Sequence, residues 1–154
     1  MLTSKSTWRM TMAVFALGYL ALTPVARAEG QEDSCSNRNL RGDYGFTIEG
    51  LILPGSIPIR GVALTHFDGK GHLTQVDHVI FNGFPPMQDW TPGTGTYHIN
   101  ADCTGTVRID VPSTGDFINL RVVVVREGKE VHTVVTAPFN GPSRTVTSIG
   151  IRVE

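Results

Sequence analysis

The chain has 154 residues, 40% of them hydrophobic and 18% charged, with 17 glycines, 9 prolines, 2 cysteines and a formal net charge of −1. Residues 1–28 read as a removable export signal; without them 126 residues remain, with 10 basic against 14 acidic side chains and a net charge near −4. A mildly acidic domain lacking a cationic tract has no electrostatic basis for binding nucleic acid or anionic lipid, its low charge and β-branched content argue against disorder, and its length suits one domain with a real core.

Lys5 and Arg9 make the amino end positive, residues 10–22 form an apolar run, and Ala26-Arg27-Ala28 supplies the small residues that signal peptidase accepts. The expected scissile bond is Ala28/Glu29. A retained anchor is the competing reading, but the run of 13 residues falls short of the ~20 that a membrane-crossing helix needs. The expectation is a secreted or periplasmic protein, with no stable membrane insertion after cleavage. In that setting Cys35 and Cys103, the only cysteines, are expected to form one disulfide. Closing that loop would contribute about 4 kcal/mol in the chain-entropy model. A two-thiol metal site and a catalytic thiol are the alternatives, and no CxxC or HxxxH spacing supports the first.

Residues 29–41 are polar and aperiodic and read as an N-terminal tether, followed by a β domain over 42–154. Strands are expected at 43–53, 59–67, 72–81, 95–99, 105–111, 117–125, 130–137 and 144–153. Asp68-Gly69-Lys70-Gly71 is a hairpin signal, because glycine supplies positive φ where the chain reverses. Residues 82–93 include Pro85-Pro86 and read as the longest loop. Short turns between consecutive strands force antiparallel pairing, and eight strands suffice to close an up-and-down barrel. A two-sheet β-sandwich is the alternative. Closure would hide edges in runs such as Val122-Val123-Val124-Val125.

Several segments carry a family likeness: Leu40-Arg41-Gly42-Asp43-Tyr44-Gly45-Phe46, Phe67-Asp68-Gly69-Lys70-Gly71-His72-Leu73, Gly95-Thr96-Tyr97, Asp102-Cys103-Thr104-Gly105-Thr106, and residues 123–131. Their order, behind an N-terminal Cys, resembles small secreted bacterial proteins of unassigned function, similar to the allene oxide cyclase barrel group among calycin-like folds. The resemblance implies an eight-stranded barrel with an apolar cavity. In that group a flexible substrate is cyclised by being held folded. No catalytic motif of the plant cyclases matches here, so no catalytic residue is carried over.

Candidate chemistry follows from strand parity, which leaves the lumenal face undecided. Glu49 would be a usable acid or base if it faced an apolar lumen, where desolvation raises a carboxyl pKa. Arg121, Asn119 and His132 interrupt apolar runs on neighbouring strands, and an inward Arg121 could hold a carboxylate. Tyr44 and Tyr97 are candidate ligand contacts. Trp90, with Phe84, Pro85, Pro86 and Met87, belongs to a stiff aromatic loop able to cap a barrel mouth. His72 and His78 lie six residues apart, roughly 20 Å along a strand, too far to share one ion; His66 could approach His72 across the hairpin. No metal and no organic cofactor is expected. No G-x-S-x-G elbow is present, and Gly69/Gly71 and Gly93/Gly95 are turns rather than phosphate cradles.

The expected function is lumenal binding of a small apolar molecule. The alternatives are a cyclase or isomerase that acts by templating a substrate and a non-catalytic extracellular structural protein. Oligomerisation is left open.

Overall fold

The structure, a computed structural model, describes residues 34–112, 115–137 and 144–154. The export signal and residues 29–33 of the tether lie outside the described residues. The order is a 3-10 turn at Asn37–Asn39, then β1 Arg41–Ile52, β2 Ile57–Asp68, β3 His72–Phe81, β4 Thr91–Ile99, β5 Thr104–Val111, β6 Asp116–Val125, a second 3-10 turn at Arg126–Gly128, β7 Glu130–Ala137 and β8 Arg144–Arg152. Each strand pairs with the next, and β1 pairs with β8, so the sheet is a closed antiparallel barrel in up-and-down order. The sandwich alternative is thereby excluded. Closure leaves no edge strand on which another chain could grow.

Register decides which face is the lumen. Tyr44 pairs with Thr65, Phe46 with Ala63 and Ile48 with Gly61, and the same parity carries through Leu73, Gln75, Asp77 and Val79 on β3. On the far wall it carries through Tyr97 and Val107, Leu120, and Val131 and Gly150. The core is this inward set, including Tyr44, Phe46, Phe67, Tyr97, Val107, Leu120, Val122, Val124 and Val131. At Gly150 the ring of Phe46 lies where a β-carbon would stand. The side chain missing from β8 is thus replaced by an aromatic ring from β1, as in aromatic rescue of a strand glycine.

Three departures from the sequence expectation have local causes. β4 begins at Thr91, four residues early, and includes Pro92. The Thr91–Gly93 stretch pairs with β3, while the β4–β5 ladder starts only at Thr94. Pro92 therefore sits where one strand face has no ladder to donate to, a position that tolerates proline. Residues 34–40 are packed rather than a loose tether: Leu40 is fully buried, and the Asn37–Asn39 turn lies under the barrel floor. Finally, the β6–β7 register slips between Asn119 and Leu120, so Thr136 on β7 is left over as a bulge.

The floor is a small network. The edges of the Tyr44, Phe67 and Tyr97 rings meet faces, with centroids 5.3 and 5.0 Å apart, a favoured aromatic geometry. Tyr97 Oη donates to the carbonyl of Leu40 at 2.8 Å, and Tyr44 Oη donates to the carbonyl of Gly128. The Asn37 side chain accepts the Ile99 amide at 2.8 Å. The Cys35–Cys103 disulfide joins this segment to the β4–β5 turn, with Cα atoms 4.9 Å apart, and the Cys35 amide donates to Ala101 O. Burial raises the pKa of both tyrosines, so each hydroxyl stays a proton donor to its carbonyl. Beside this floor the β2–β3 turn is closed by Asp68, whose carboxylate accepts the amides of Lys70, Gly71 and His72. Those donors, His72 first, hold its pKa well below the carboxylate range. Gly69 and Gly71 take the positive φ that the turn requires.

Candidate functional site: the open half of the lumen

The two ends of the barrel differ. The floor side is filled by rings and Leu40, whereas inward residues toward the other end remain only half-buried. These include Ile48 and Ile52 on β1, Val79 on β3, Ile109 on β5, Ile118 on β6 and Val135 on β7. The strand alternation that aims them inward is the one that buries Tyr44 and Phe67 lower down. Toward this end the inward side chains are therefore apolar and, among the described residues, only partly covered.

Polar groups enter this half of the lumen at a few points. On β2 and β3, Thr65 Oγ1 donates to Gln75 Oε1 at 3.4 Å, and Gln75 Nε2 donates to Asp77 Oδ2 at 2.9 Å. Asp77 is half-buried with apolar Ala63 as its β2 partner, and burial raises its pKa above the ordinary carboxylate value, opposed by the Gln75 amide and by the charge of His78. Facing inward on β7 and β8, Thr133 and Ser148 bond to each other at 2.7 Å. Arg144, of the same inward parity on β8, has a buried Nε without a hydrogen-bond partner among the described residues. Chemically this end offers, among the described residues, apolar walls, one carboxyl whose pKa is raised by burial, the Arg144 guanidinium and a few hydroxyls.

The residues singled out from sequence fall elsewhere. Glu49 is on the outer wall, exposed and 3.9 Å from Arg60, so it does not enter the lumen. His132 is outside, 2.6 Å from Glu130. Asn119 and Arg121 also face outward, in a wall groove of about 460 Å3 with Thr96, His98, Thr106, Arg108 and Thr136. Tyr44 and Tyr97 do face inward, but they belong to the packed floor and their hydroxyls are committed to carbonyls. Trp90 is 46% exposed at the foot of the 82–90 loop, with its ring edge-on toward His78 at 6.1 Å between centroids. That loop leaves from the open end, where Phe84 and Met87 project into solvent. His78 ties its base down, with Nδ1 donating to Asp89 O at 2.6 Å.

Four histidines each meet one carboxylate rather than one another: His66 meets Asp43, His72 meets Asp68, His78 meets Asp89 and His132 meets Glu130. Among the described residues no group of three or more His, Cys, Asp or Glu side chains is arranged to hold a metal ion. A second groove, of about 320 Å3 and almost wholly apolar, also runs mainly along the outer wall, past Thr47, Arg60, Val62, His78 and Ile80.

Gln75 and Asp77 as lumenal groups were missed from sequence. The signal was the alternation Leu73-Gln75-Asp77-Val79-Phe81, in which two polar residues share a face with three apolar ones.

Fold and site together define a small eight-stranded up-and-down barrel with one plugged end and, among the described residues, apolar and only partly covered inward side chains toward the other. Comparison of the chain with protein-family models and with curated proteins returns no match. Among solved structures it is similar to the crystal structure of Rv2717c from M. tuberculosis, with a TM-score of 0.41 and 14% identity over 75% of this chain and 94% of that one. A likeness this distant carries no argument about the site, and the barrel assignment rests on the strand pairing itself.

Proposed function

We propose that this is an exported barrel that carries a small apolar molecule in the open half of its lumen. The observation behind the reading is the asymmetry of burial along one inward-facing set of side chains. The floor is packed and stapled, while Ile48, Ile52, Val79, Ile109, Ile118 and Val135 retain solvent access in a funnel of apolar character. Burying a ligand there would remove that surface from water, a gain of about 25 cal/mol per Å2. Exposed Phe81, Phe84, Met87 and Trp90 at the same end extend the apolar surface outward from the mouth. Export accords with the Cys35–Cys103 disulfide, a bond that persists in oxidising compartments.

A second reading draws on Asp77. A carboxyl with a raised pKa beside an apolar funnel can donate a proton to a substrate oxygen and take one back. With substrate folded against the walls, this would be a templating isomerase or cyclase like the allene oxide cyclase group that the sequence resembles. It would need neither metal nor organic cofactor.

The test is titration with N-phenyl-1-naphthylamine, a neutral dye that brightens in apolar surroundings. Ile118→Trp, which fills the funnel, should weaken dye binding at least ~10-fold, an affinity change of about 1.4 kcal/mol. Val62→Ser on the outer wall should leave it unchanged. Equal effects of the two variants, or no dye binding by the unaltered protein, would sink the carrier reading.

A further inference from the structure

We infer that the outer groove across β4, β5, β6 and β7 is a second binding site, for a carboxylated sugar. It is separate from the lumen and does not depend on the lumenal reading. A convex barrel wall has little reason to be concave, and the local cause here is the β6–β7 bulge. Where the register slips between Asn119 and Leu120, Thr136 is left unpaired and turns its hydroxyl to the Asn119 carbonyl at 3.3 Å. Bulges bend a strand and re-aim its side chains, and this one lies at one side of the groove of about 460 Å3. That volume lies within the usual range for small-molecule sites.

The lining specifies the ligand. Across the strands, His98 pairs with Thr106, Thr106 with Arg121 and Arg108 with Asn119, which places these side chains side by side on the outer face. The two guanidinium groups are not equivalent. Arg108 is spoken for, with Nε and an Nη on Asp110 at 2.9 and 2.7 Å and its plane 4.0 Å over the Phe117 ring. Arg121 has no hydrogen bond or ion pair among the described residues. Among the described residues no acidic side chain lines the groove with it. The site therefore offers one uncommitted fork of N–H donors, which matches a single carboxylate bidentately.

Around that fork stand the hydroxyls of Thr96, Thr106 and Thr136, the Asn119 amide and the His98 ring. The hydroxyls and the amide are neutral groups that both donate and accept. One anionic group on a body rich in hydroxyls is the complement of that lining; an apolar acid would leave the hydroxyls unpaired, and a polyanion would meet only one free cation among the described residues.

The probe is D-glucuronate, followed by amide chemical-shift titration of the full domain, with D-glucose and acetate as controls. Glucuronate should shift amides of β4–β6 around Thr106 and Arg121, and bind at least ~10-fold more tightly than either control. Arg121→Ala should abolish that preference over glucose, and Arg121→Lys should restore only part of it, since an ammonium cannot form the bidentate pair. Ile118→Trp, in the lumen, should leave glucuronate binding unchanged, so failure here and failure of the carrier reading are told apart. The inference is overturned if acetate binds as well as glucuronate. It is equally overturned if Arg121→Ala binds glucuronate normally, or if the shifts map to the mouth.

Discussion

Asp77 places a carboxyl on the inward face of β3, opposite Ala63. Its carboxyl is half-buried, receives one amide hydrogen bond from Gln75, and has its pKa raised chiefly by desolvation. The folded state thus holds this proton to higher pH than the unfolded chain does, so Asp77 lowers stability as pH rises through that interval and has no such effect below the unfolded value near 4. Asp77→Asn keeps an acceptor for Gln75 and removes the charge. Its melting temperature should exceed that of the parent at pH 7, and the gap should close by about pH 3. Thermal melts at the two values check this, and a variant equally destabilised at both would mean that packing, not charge, dominates there.

Strand parity is also why Asp77 was hard to read in advance. Asp77 stands beside His78 in the sequence, and the two project to opposite faces of β3. Glu49 adjoins Ile48, and Ile48 is the inward member of that pair. Period-2 alternation is visible in a sequence, but which phase faces inward is set by pairing with β2 and β8, and that information is not local.

At the level of elements, the strands were legible because turn chemistry marks their ends. Asp68-Gly69-Lys70-Gly71 and Arg126-Glu127-Gly128-Lys129 both fall between strands, and five of the eight strands begin within one residue of expectation. The N-terminal segment was not legible, since a polar stretch without periodicity has no signature of burial. Its order comes from tertiary partners: Leu40 under the rings, Asn37 on Ile99, and Cys35 on Cys103. The disulfide spans 68 positions, so most of its value lies in constraining the unfolded chain. Replacing both cysteines, Cys35→Ser with Cys103→Ser, should cost about 2–4 kcal/mol in denaturant unfolding. Far-UV circular dichroism should be unchanged, and amide exchange should accelerate first at residues 35–40 and at Ile99, whose amide is held by Asn37. A loss under ~0.5 kcal/mol would show that the hydrogen bonds of the floor hold the plug unaided.

For the whole molecule, closure is the decisive event, and it depends on the one pairing that no hairpin supplies. β1 meets β8 across nearly the full sequence length, from Tyr44↔Arg152 to Ile52↔Arg144. Loop-closure entropy opposes such a contact until other pairings have shortened the effective loop. Besides its ladder, the seam is held by the Val153 amide donating to Asp43 O at 2.8 Å and by the Phe46 ring lying over Gly150. A methyl at Gly150 would enter that ring, and inside a closed barrel the ring has nowhere to retreat, so overpacking of about 1–3 kcal/mol is expected for Gly150→Ala. The same methyl should be far less costly once the ring is gone. In a Phe46→Leu background, Gly150→Ala should lose much less than it does alone, giving a coupling energy of order 1 kcal/mol between residues 104 positions apart. Denaturant unfolding of the two single variants and the double variant measures it. Additive losses would mean that the ring and the glycine do not share the space at the seam, and that backbone hydrogen bonds alone close the barrel there.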